Sequence, residues 1–593
     1  MSSASEYDVA RLLAVARGDE TADTCFTGGR VLSVHTREWL DADVLVVDGR
    51  VAAIVERDGG APVEAVEMID VTGRYLSPGF IDAHVHIESS KLTVDGFAEA
   101  VVPRGTTTVV AEPHEIGNVL GVDGTRWFMD SADTSPLSCW FMVPSCVPAS
   151  EFESAGARID LAGMESLLEH PRALGVGELM NFPGIVGGDA DELAKLRAAG
   201  SSHADGHAPG LRGRELDAYS ATGIRSDHES TTVAEALDKR RRGMWVLLRD
   251  ASNAHNLRDL LPLVLDHGPE FCAFCTDDRE PDHLLGEGHI DHLIRVAVAG
   301  GVDPIVALLL ATLHPALAHG LDARGYGSLT PGARADIVVL PDLTSFAPES
   351  VWISGRKVAA SGRLLHPVQH SAPQDVCDTV RIAALDQESF RVGTSETGPT
   401  RQVRVIGARD GQLLTDQLYT ELPVVDGAIV ADTARNVAKL SVIERHTGSG
   451  RIGTGFVHGF GLETGAFAST VAHDAHNLVV VGVDDESMRA VAERLAVLGG
   501  GIAVAVDGVV VEELALPVAG LMSDRPAAEV AAALDVLHAR LRTMGVTVDA
   551  PFMMLSFLAL SVIPSLKLTD RGYVDVDRFE LVGLEADVVQ TAT

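Results

Sequence analysis

The alternation of apolar and polar positions changes period several times along the chain, and those changes divide it. A short amphipathic stretch carrying Val9, Leu12, Leu13 and Ala16 gives way to β-rich runs punctuated by Gly and Asp, as hairpins in a small sheet are. They are Arg30-Val-Leu-Ser-Val, Asp43-Val-Leu-Val-Val-Asp-Gly-Arg-Val-Ala-Ala-Ile-Val and Val66-Glu-Met-Ile-Asp-Val. The same texture returns at Ala335-Asp-Ile-Val-Val-Leu and Val351-Trp-Ile-Ser-Gly-Arg-Lys-Val-Ala. One small β-sandwich domain assembled from both flanks, residues 1–75 and 325–395, is the economical reading.

Between the flanks, residues 76–324, short apolar runs alternate with helical stretches. The runs are Gly79-Phe-Ile-Asp-Ala-His-Val-His, Thr106-Thr-Thr-Val-Val-Ala-Glu, Cys139-Trp-Phe-Met-Val, Ala173-Leu-Gly-Val-Gly-Glu, Ser202-His-Ala-Asp-Gly-His, Ile224-Arg-Ser-Asp-His-Glu, Trp245-Val-Leu-Leu-Arg and Phe271-Cys-Ala-Phe-Cys-Thr-Asp-Asp. Eight strand candidates spaced as βα units predict an α/β fold, a (β/α)₈ barrel whose chemistry sits at the C-terminal ends of its strands. Residues 396–593 read as a separate C-terminal α/β domain, with strands at Val403-Arg-Val-Ile and Asn477-Leu-Val-Val-Val-Gly-Val. Helices are predicted over Asp485–Leu498 and Pro526–Met544. The apolar segment from Pro551 to Pro564 is too short to span a bilayer and reads as core or subunit interface.

Composition narrows the function classes. Acidic residues number 84 against 47 basic ones, a net charge of −37 that repels nucleic acid and anionic lipid. The basic run Lys239-Arg240-Arg241-Arg242 is read as a solvated helix end. Six Cys make no disulfide framework, and Met1-Ser-Ser-Ala-Ser-Glu-Tyr-Asp has no leader pattern, so a cytoplasmic protein without nucleic-acid or membrane partners is expected.

The strand candidates end in a set of imidazoles and carboxylates: His84 and His86, Glu112 followed by His114 and Glu115, then Glu178, His207, His228 and Asp277. His-x-His on a strand puts both rings on one face, because side chains alternate with period two. Four His and two carboxylates exceed one tetrahedral site, and a Glu can bridge two ions with one oxygen to each. Mixed ligation suits Mn²⁺, Fe²⁺ or Zn²⁺. Cys272 and Cys275 lie in an apolar run and read as buried thiols. Gly499-Gly-Gly501 and the Gly-rich segment from Thr447 to Gly461 match no phosphate loop and read as turns and ligand-covering loops. His473 and His476 admit three readings: a further metal site, lining of the active site, or a hydrogen-bonded support.

Ser77-Pro-Gly-Phe-Ile-Asp-Ala-His-Val-His and Leu329-Thr-Pro-Gly-Ala-Arg-Ala-Asp-Ile-Val-Val-Leu resemble signatures of the amidohydrolase superfamily. More narrowly, Glu112-Pro-His-Glu-Ile-Gly-Asn-Val-Leu-Gly, Gly177-Glu-Leu-Met-Asn-Phe-Pro-Gly, Asp205-Gly-His-Ala-Pro, Ser226-Asp-His-Glu-Ser and Cys275-Thr-Asp-Asp-Arg resemble the microbial adenine deaminase family. So do Arg445-His-Thr-Gly-Ser-Gly-Arg-Ile-Gly-Thr-Gly-Phe-Val and Ser469-Thr-Val-Ala-His-Asp-Ala-His-Asn.

The resemblance implies hydrolysis of adenine to hypoxanthine and ammonia, with two divalent ions, Mn²⁺ ahead of Fe²⁺ or Zn²⁺. His84, His86, Glu178, His207, His228 and Asp277 would hold them, and Asp277 would also shuttle protons. No Lys lies near Gly175-Val-Gly-Glu, so Glu178 takes the bridging place that a carbamylated lysine fills in many relatives. Glu112 or Glu115 would protonate N1 of the purine, and Asn181, His114, His473 and His476 are candidate substrate contacts. A homodimer is expected. The competing readings are a cyclic amide hydrolase of the dihydroorotase or hydantoinase kind and a barrel that has lost catalysis and serves as a scaffold.

Overall fold

In a computed structural model that describes residues 8–57, 63–200, 202–395 and 398–585, eight short strands run parallel with helices between them. They are β1 (Phe80–Val85), β2 (Thr106–Ala111), β3 (Ser138–Val143), β4 (Ala173–Leu179), β5 (His203–Gly206), β6 (Ser226–Asp227), β7 (Trp245–Arg249) and β8 (Cys272–Cys275). Strands β1 to β5 form one ladder and β6 to β8 another. The Arg225 amide donates to Ala204 O at 3.0 Å beside β5 and β6, and the Asp277 amide donates to His84 O at 3.0 Å where β8 meets β1. The result is an α/β TIM-barrel-like domain.

Most residues of these strands are buried because both faces are covered, inside by the barrel core and outside by helices. Phe80, Val109, Phe141, Val176, Val246 and Phe274 are wholly buried in one continuous core. Cys272 and Cys275 are buried in β8, and burial pushes the Cys272 thiol up to about 12.

The flanking runs pair into a second sheet. Strand Tyr75–Pro78 lies between Arg30–Ser33 and Ile337–Leu340, so residues from either side of the barrel share one ladder. The helix Val9–Arg17 packs through Val15 and Leu12, whereas Val9 and Leu13 are exposed, so the buried stripe is not the expected one. The leader-free reading of residues 1–7 and the boundary placed at 396 lie outside the described residues.

Beyond the barrel, ten strands make one sheet, and every pairing is antiparallel except Thr400–Gly407 with Ile452–His458. The expectation of an α/β arrangement is corrected here. Short links such as the one from Ile443 to Ile452 permit hairpins but are too short for a helical crossover. The helix Asp485–Leu498 forms as predicted. Asp484 caps it through the Ser487 amide, Gly499 ends it in the left-handed region at φ 75°, and Met488, Val491, Ala492 and Leu495 bury one face on the sheet.

The Gly-rich segment after Thr447 also departs from the loop reading, since it contains the strand Ile452–His458. Gly453 and Gly455 lie directly under the hairpin of Leu566–Thr569 and Gly572–Asp575, where a Cβ would meet Thr569 O or the Tyr573 hydroxyl. Only glycine allows that approach. Among the described residues no helix is long and apolar enough to cross a membrane.

Lys239 corrects the solvated reading of the basic run. Its ammonium is wholly buried and donates to Asp227 Oδ2 at 2.7 Å, Glu235 Oε1 at 2.8 Å, Ala208 O at 2.8 Å and Ser230 Oγ at 3.1 Å. It thus joins the chain just past β5 to the end of β6. Lys239→Met leaves two buried carboxylates without their cation, so a loss of about 3–5 kcal/mol is expected. A lowered midpoint in chemical denaturation checks this, and an unchanged midpoint would refute the clamp.

Candidate metal centre

The ends of β1, β4, β5, β6 and β8 converge on one point. His84 and His86 lie at and just past the end of β1, and their Nε2 atoms are 3.1 Å apart. Glu178, on β4, brings Oε1 to 3.0 Å from His84 Nε2 and 2.9 Å from His86 Nε2. Its other oxygen, Oε2, lies 2.6 Å from His207 Nδ1 and 3.6 Å from His228 Nε2. Asp277 Oδ1 stands 3.3 Å from His86 Nε2. All six side chains are buried.

The electrostatics follow from that crowding. Burial works against a His86 imidazolium, yet the bonds to Asp277 and Glu178 override it and hold its pKa well above the ordinary value. His228 is likewise raised to about 9 against its burial, chiefly by the charge of Glu178. Burial alone would raise the Glu178 carboxyl, but His228 and the bonds from His207, His84 and His86 hold it well below the usual range. Asp277 is held low in the same way, with burial opposed by His86, Arg249 and His228.

The donor set fits a divalent cation. His86 Nδ1 donates to Glu112 O at 2.9 Å, which leaves Nε2 as the ring atom that faces the cluster and that would take a cation in place of a proton. His84 Nε2, His86 Nε2 and Glu178 Oε1 lie about as far apart as ligand atoms around one ion do. His207 Nε2 has no hydrogen-bond partner despite full burial. The trios His84–His86–Glu178, His84–His228–Asp277 and Glu178–His207–His228 each bring three ligand atoms together.

Several neighbours hold these groups and were not singled out in the sequence. Arg249, the last residue of β7, donates to Asp277 Oδ2 at 2.8 Å and to Glu229 Oε1 at 2.6 Å. The signal was a charged residue ending an otherwise apolar strand. Glu229, beside His228, places Oε1 3.4 Å from His228 Nε2. Asp227 Oδ1 accepts from the Ala208 amide at 3.0 Å, which couples the backbone after His207 to the residue before His228.

The other sequence candidates separate. Glu112 Oε2 accepts the Glu178 amide at 2.7 Å, so this carboxylate braces Glu178. Glu115 accepts from Ser89 Oγ at 2.5 Å, and the same hydroxyl contacts Asp278 Oδ1. The one hydroxyl hydrogen can serve only one of the two carboxylates at a time. Burial, with Glu88 and Asp278 adding to it, pushes the Glu115 carboxyl well above its ordinary range. His114 and His473 line the pocket against the ligands, together with Asp474, Asp278, Met180, Leu413, Phe557, Leu560 and Ile563.

His476 is not brought to that pocket. Its Nδ1 accepts the Ala472 amide at 3.1 Å, so Nε2 carries the ring proton, and it faces Glu115 Oε2 at 3.7 Å in a separate group with His473. Asn181 caps the helix Phe182–Gly187 through the Gly184 amide and bonds Glu192. It lines an outer cavity of about 1190 Å³ that adjoins the pocket at Met180, Glu229, Leu413 and Ile563.

Comparison with known proteins places these residues in context. A model described as the amidohydrolase family matches residues 75–358, and one described as the adenine deaminase C-terminal domain matches residues 412–580. An adenine deaminase of Desulfatibacillum aliphaticivorans is 42% identical over 97% of this chain and 99% of its own length. Adenine deaminase 2 of Carboxydothermus hydrogenoformans is 43% identical over 96% of this chain and 98% of its own. An adenine deaminase of Nitratidesulfovibrio vulgaris is 44% identical over 96% and 97% respectively.

Proposed function

This chain belongs to the adenine deaminase family of the amidohydrolases, and on that premise we infer that it hydrolyses adenine to hypoxanthine and ammonia. The observation that carries the metal-dependent form of this reading is Glu178, whose two oxygens face two separate pairs of imidazoles. We propose that it bridges two divalent ions, Mn²⁺ before Fe²⁺ or Zn²⁺. His84, His86 and Asp277 would complete one site, and His207 and His228 the other. Such ions, when bound, supply the Lewis acidity that makes water nucleophilic at neutral pH.

The protein's own groups handle the protons. C6 of adenine is a weak electrophile and its amino group a poor leaving group, so the reaction needs a base for water and acids at N1 and at the departing nitrogen. Asp277, held low by His86 and Arg249 and pinned by Arg249, would take a proton from water and return it to the amino nitrogen. Glu112 is engaged by the Glu178 amide, which leaves Glu115, with its raised pKa, as the stronger candidate for the proton delivered toward N1 through Ser89 and Asp278. His114 and His473 would flank the purine, while Asn181 and His476 act on the structure around it.

The proposal extends to the division into residues 1–75 with 325–395, 76–324, and 396–593, and to a cytoplasmic homodimer that takes no nucleic-acid or membrane partner. The reaction is tested with metal-free protein reloaded with Mn²⁺ and offered adenine, dihydroorotate and hydantoin. Equal yields of hypoxanthine and ammonia, two metal equivalents per chain and no ring opening of the cyclic amides are expected. No ammonia from adenine, or turnover of the cyclic amides instead, would overturn the reading.

A further inference from the structure

Lys567 lies on the strand Leu566–Thr569, wholly buried, and among the described residues no carboxylate pairs with its ammonium. Its Nζ donates to Leu413 O at 2.9 Å and to Phe557 O at 3.0 Å. Those two carbonyls belong to distant segments. Leu413 sits in the link between strands Thr400–Gly407 and Asp416–Val425, and Phe557 directly follows the helix Pro551–Ser556. Both side chains stand against the metal-ligand pocket, and both join Leu560, Ile563 and the barrel residues Ala251 and Ala254 in one apolar cluster. The Phe557 ring also stacks on His473, with centroids 4.6 Å apart and planes 7° from parallel.

An ammonium taken out of water without a counter-ion is costly, and burial pulls this one down to about 7. Methionine would fill much the same space without that cost. It would not satisfy two buried carbonyls at once, and an unmade buried hydrogen bond is itself expensive. The Leu413 side has further ties, since Thr415 exchanges backbone bonds with Pro564 and Ser565 and its hydroxyl donates to Leu566 O at 2.8 Å. The carbonyl of Phe557 is drawn to the same strand by Lys567. A cation also suits the C-terminal end of a helix, where carbonyls face outward.

We propose that Lys567 is a positioning residue that sets the far-domain roof, Leu413 and Phe557, against the metal pocket of the barrel. For the identity of the ligand beneath the roof this rests on the deaminase reading; the latch itself does not. A roof held in one place presses a flat apolar surface on a planar heteroaromatic ring, so loosening it should weaken substrate binding more than the chemical step.

The test compares metal-loaded wild type with Lys567→Met, which has no donor, and Lys567→Gln, whose neutral amide keeps two hydrogens for the two carbonyls. For Lys567→Met the expected result is a KM for adenine raised about tenfold or more, kcat within about threefold, and unchanged metal content. Hydrogen exchange should quicken over 411–415 and 557–560. Lys567→Gln should recover most of the KM and of the protection. Wild-type KM and exchange in Lys567→Met would overturn the proposal, and so would equal losses in both variants, which would mark a packing role. If Lys567→Met does not fold, Lys567→Gln decides alone: near wild-type KM and protection support the latch, and a loss of both refutes it. If wild type fails to deaminate adenine, the deaminase reading falls and the exchange measurements still judge the latch.

Discussion

Glu178→Gln is expected to lose at least one of two metal equivalents and to lower turnover by on the order of 10³-fold, the scale on which a site loses a central electrostatic group. The argument is geometric. Oε1 sits within 3.0 Å of His84 and His86, and Oε2 faces His207 and His228. Whichever way the amide turns, one of these positions becomes an NH₂ with no lone pair for a cation, and the negative charge that would balance bound cations is gone. The fold should survive, because the Glu178 amide still bonds Glu112 and the strand still pairs with its neighbours. Metal analysis beside steady-state kinetics checks this. Two retained equivalents with near-normal turnover would remove Glu178 from the bridging position.

The cluster of imidazoles and carboxylates was legible in the sequence for a physical reason. Strand ends that carry His or carboxylates stand out against apolar runs, and a period of two fixes the face that His84 and His86 share. Even the run from Ile224 to Glu229, which yields only the two-residue strand Ser226–Asp227, delivers His228 to the cluster because neighbouring strands fix its path. The parts that escaped depend on contacts that sequence distance hides. Arg249 reads as an ordinary charged end until Asp277 and Glu229 are seen on either side of its guanidinium. Lys239 reads as solvated because three arginines follow it, yet it lies on the face of the helix Val233–Arg240 that also carries the buried Glu235 and Ala236.

The roof was the least legible feature. Phe557, Leu560 and Ile563 lie in a run whose apolarity announces burial but not against what, and their partners are hundreds of residues away. The antiparallel sheet is hard to read because its strands and helices alternate along the chain as in an α/β fold, and only the short links distinguish the two. Asn181 stands just past the strand that carries Glu178 in a characteristic run; the first turn of the following helix takes its carboxamide as a cap, and the residue lines the outer cavity.

Asp277→Asn separates proton handling from metal binding. In the native site Oδ2 accepts from Arg249 at 2.8 Å while Oδ1 faces His86 Nε2 at 3.3 Å. Arg249 has no acceptor and repels an NH₂, so the asparagine oxygen should keep the Arg249 side and turn the NH₂ toward the cluster. The atom lost is therefore the one that faces water and cation. Two histidines and Glu178 remain around the first site, so much of the metal should stay. With no basic oxygen on the reacting side, kcat should fall by about 10²-fold to 10⁴-fold, the usual loss for a missing general acid and base. KM should move far less, because the pocket walls at His114, His473, Phe557 and Leu560 are untouched. Measuring kcat, KM and bound metal on the same preparation distinguishes the outcomes. A wild-type kcat would take Asp277 out of the reaction and shift the proton transfer toward Glu115 or His228, whereas a kcat loss that tracks metal loss one for one would leave Asp277 a ligand alone.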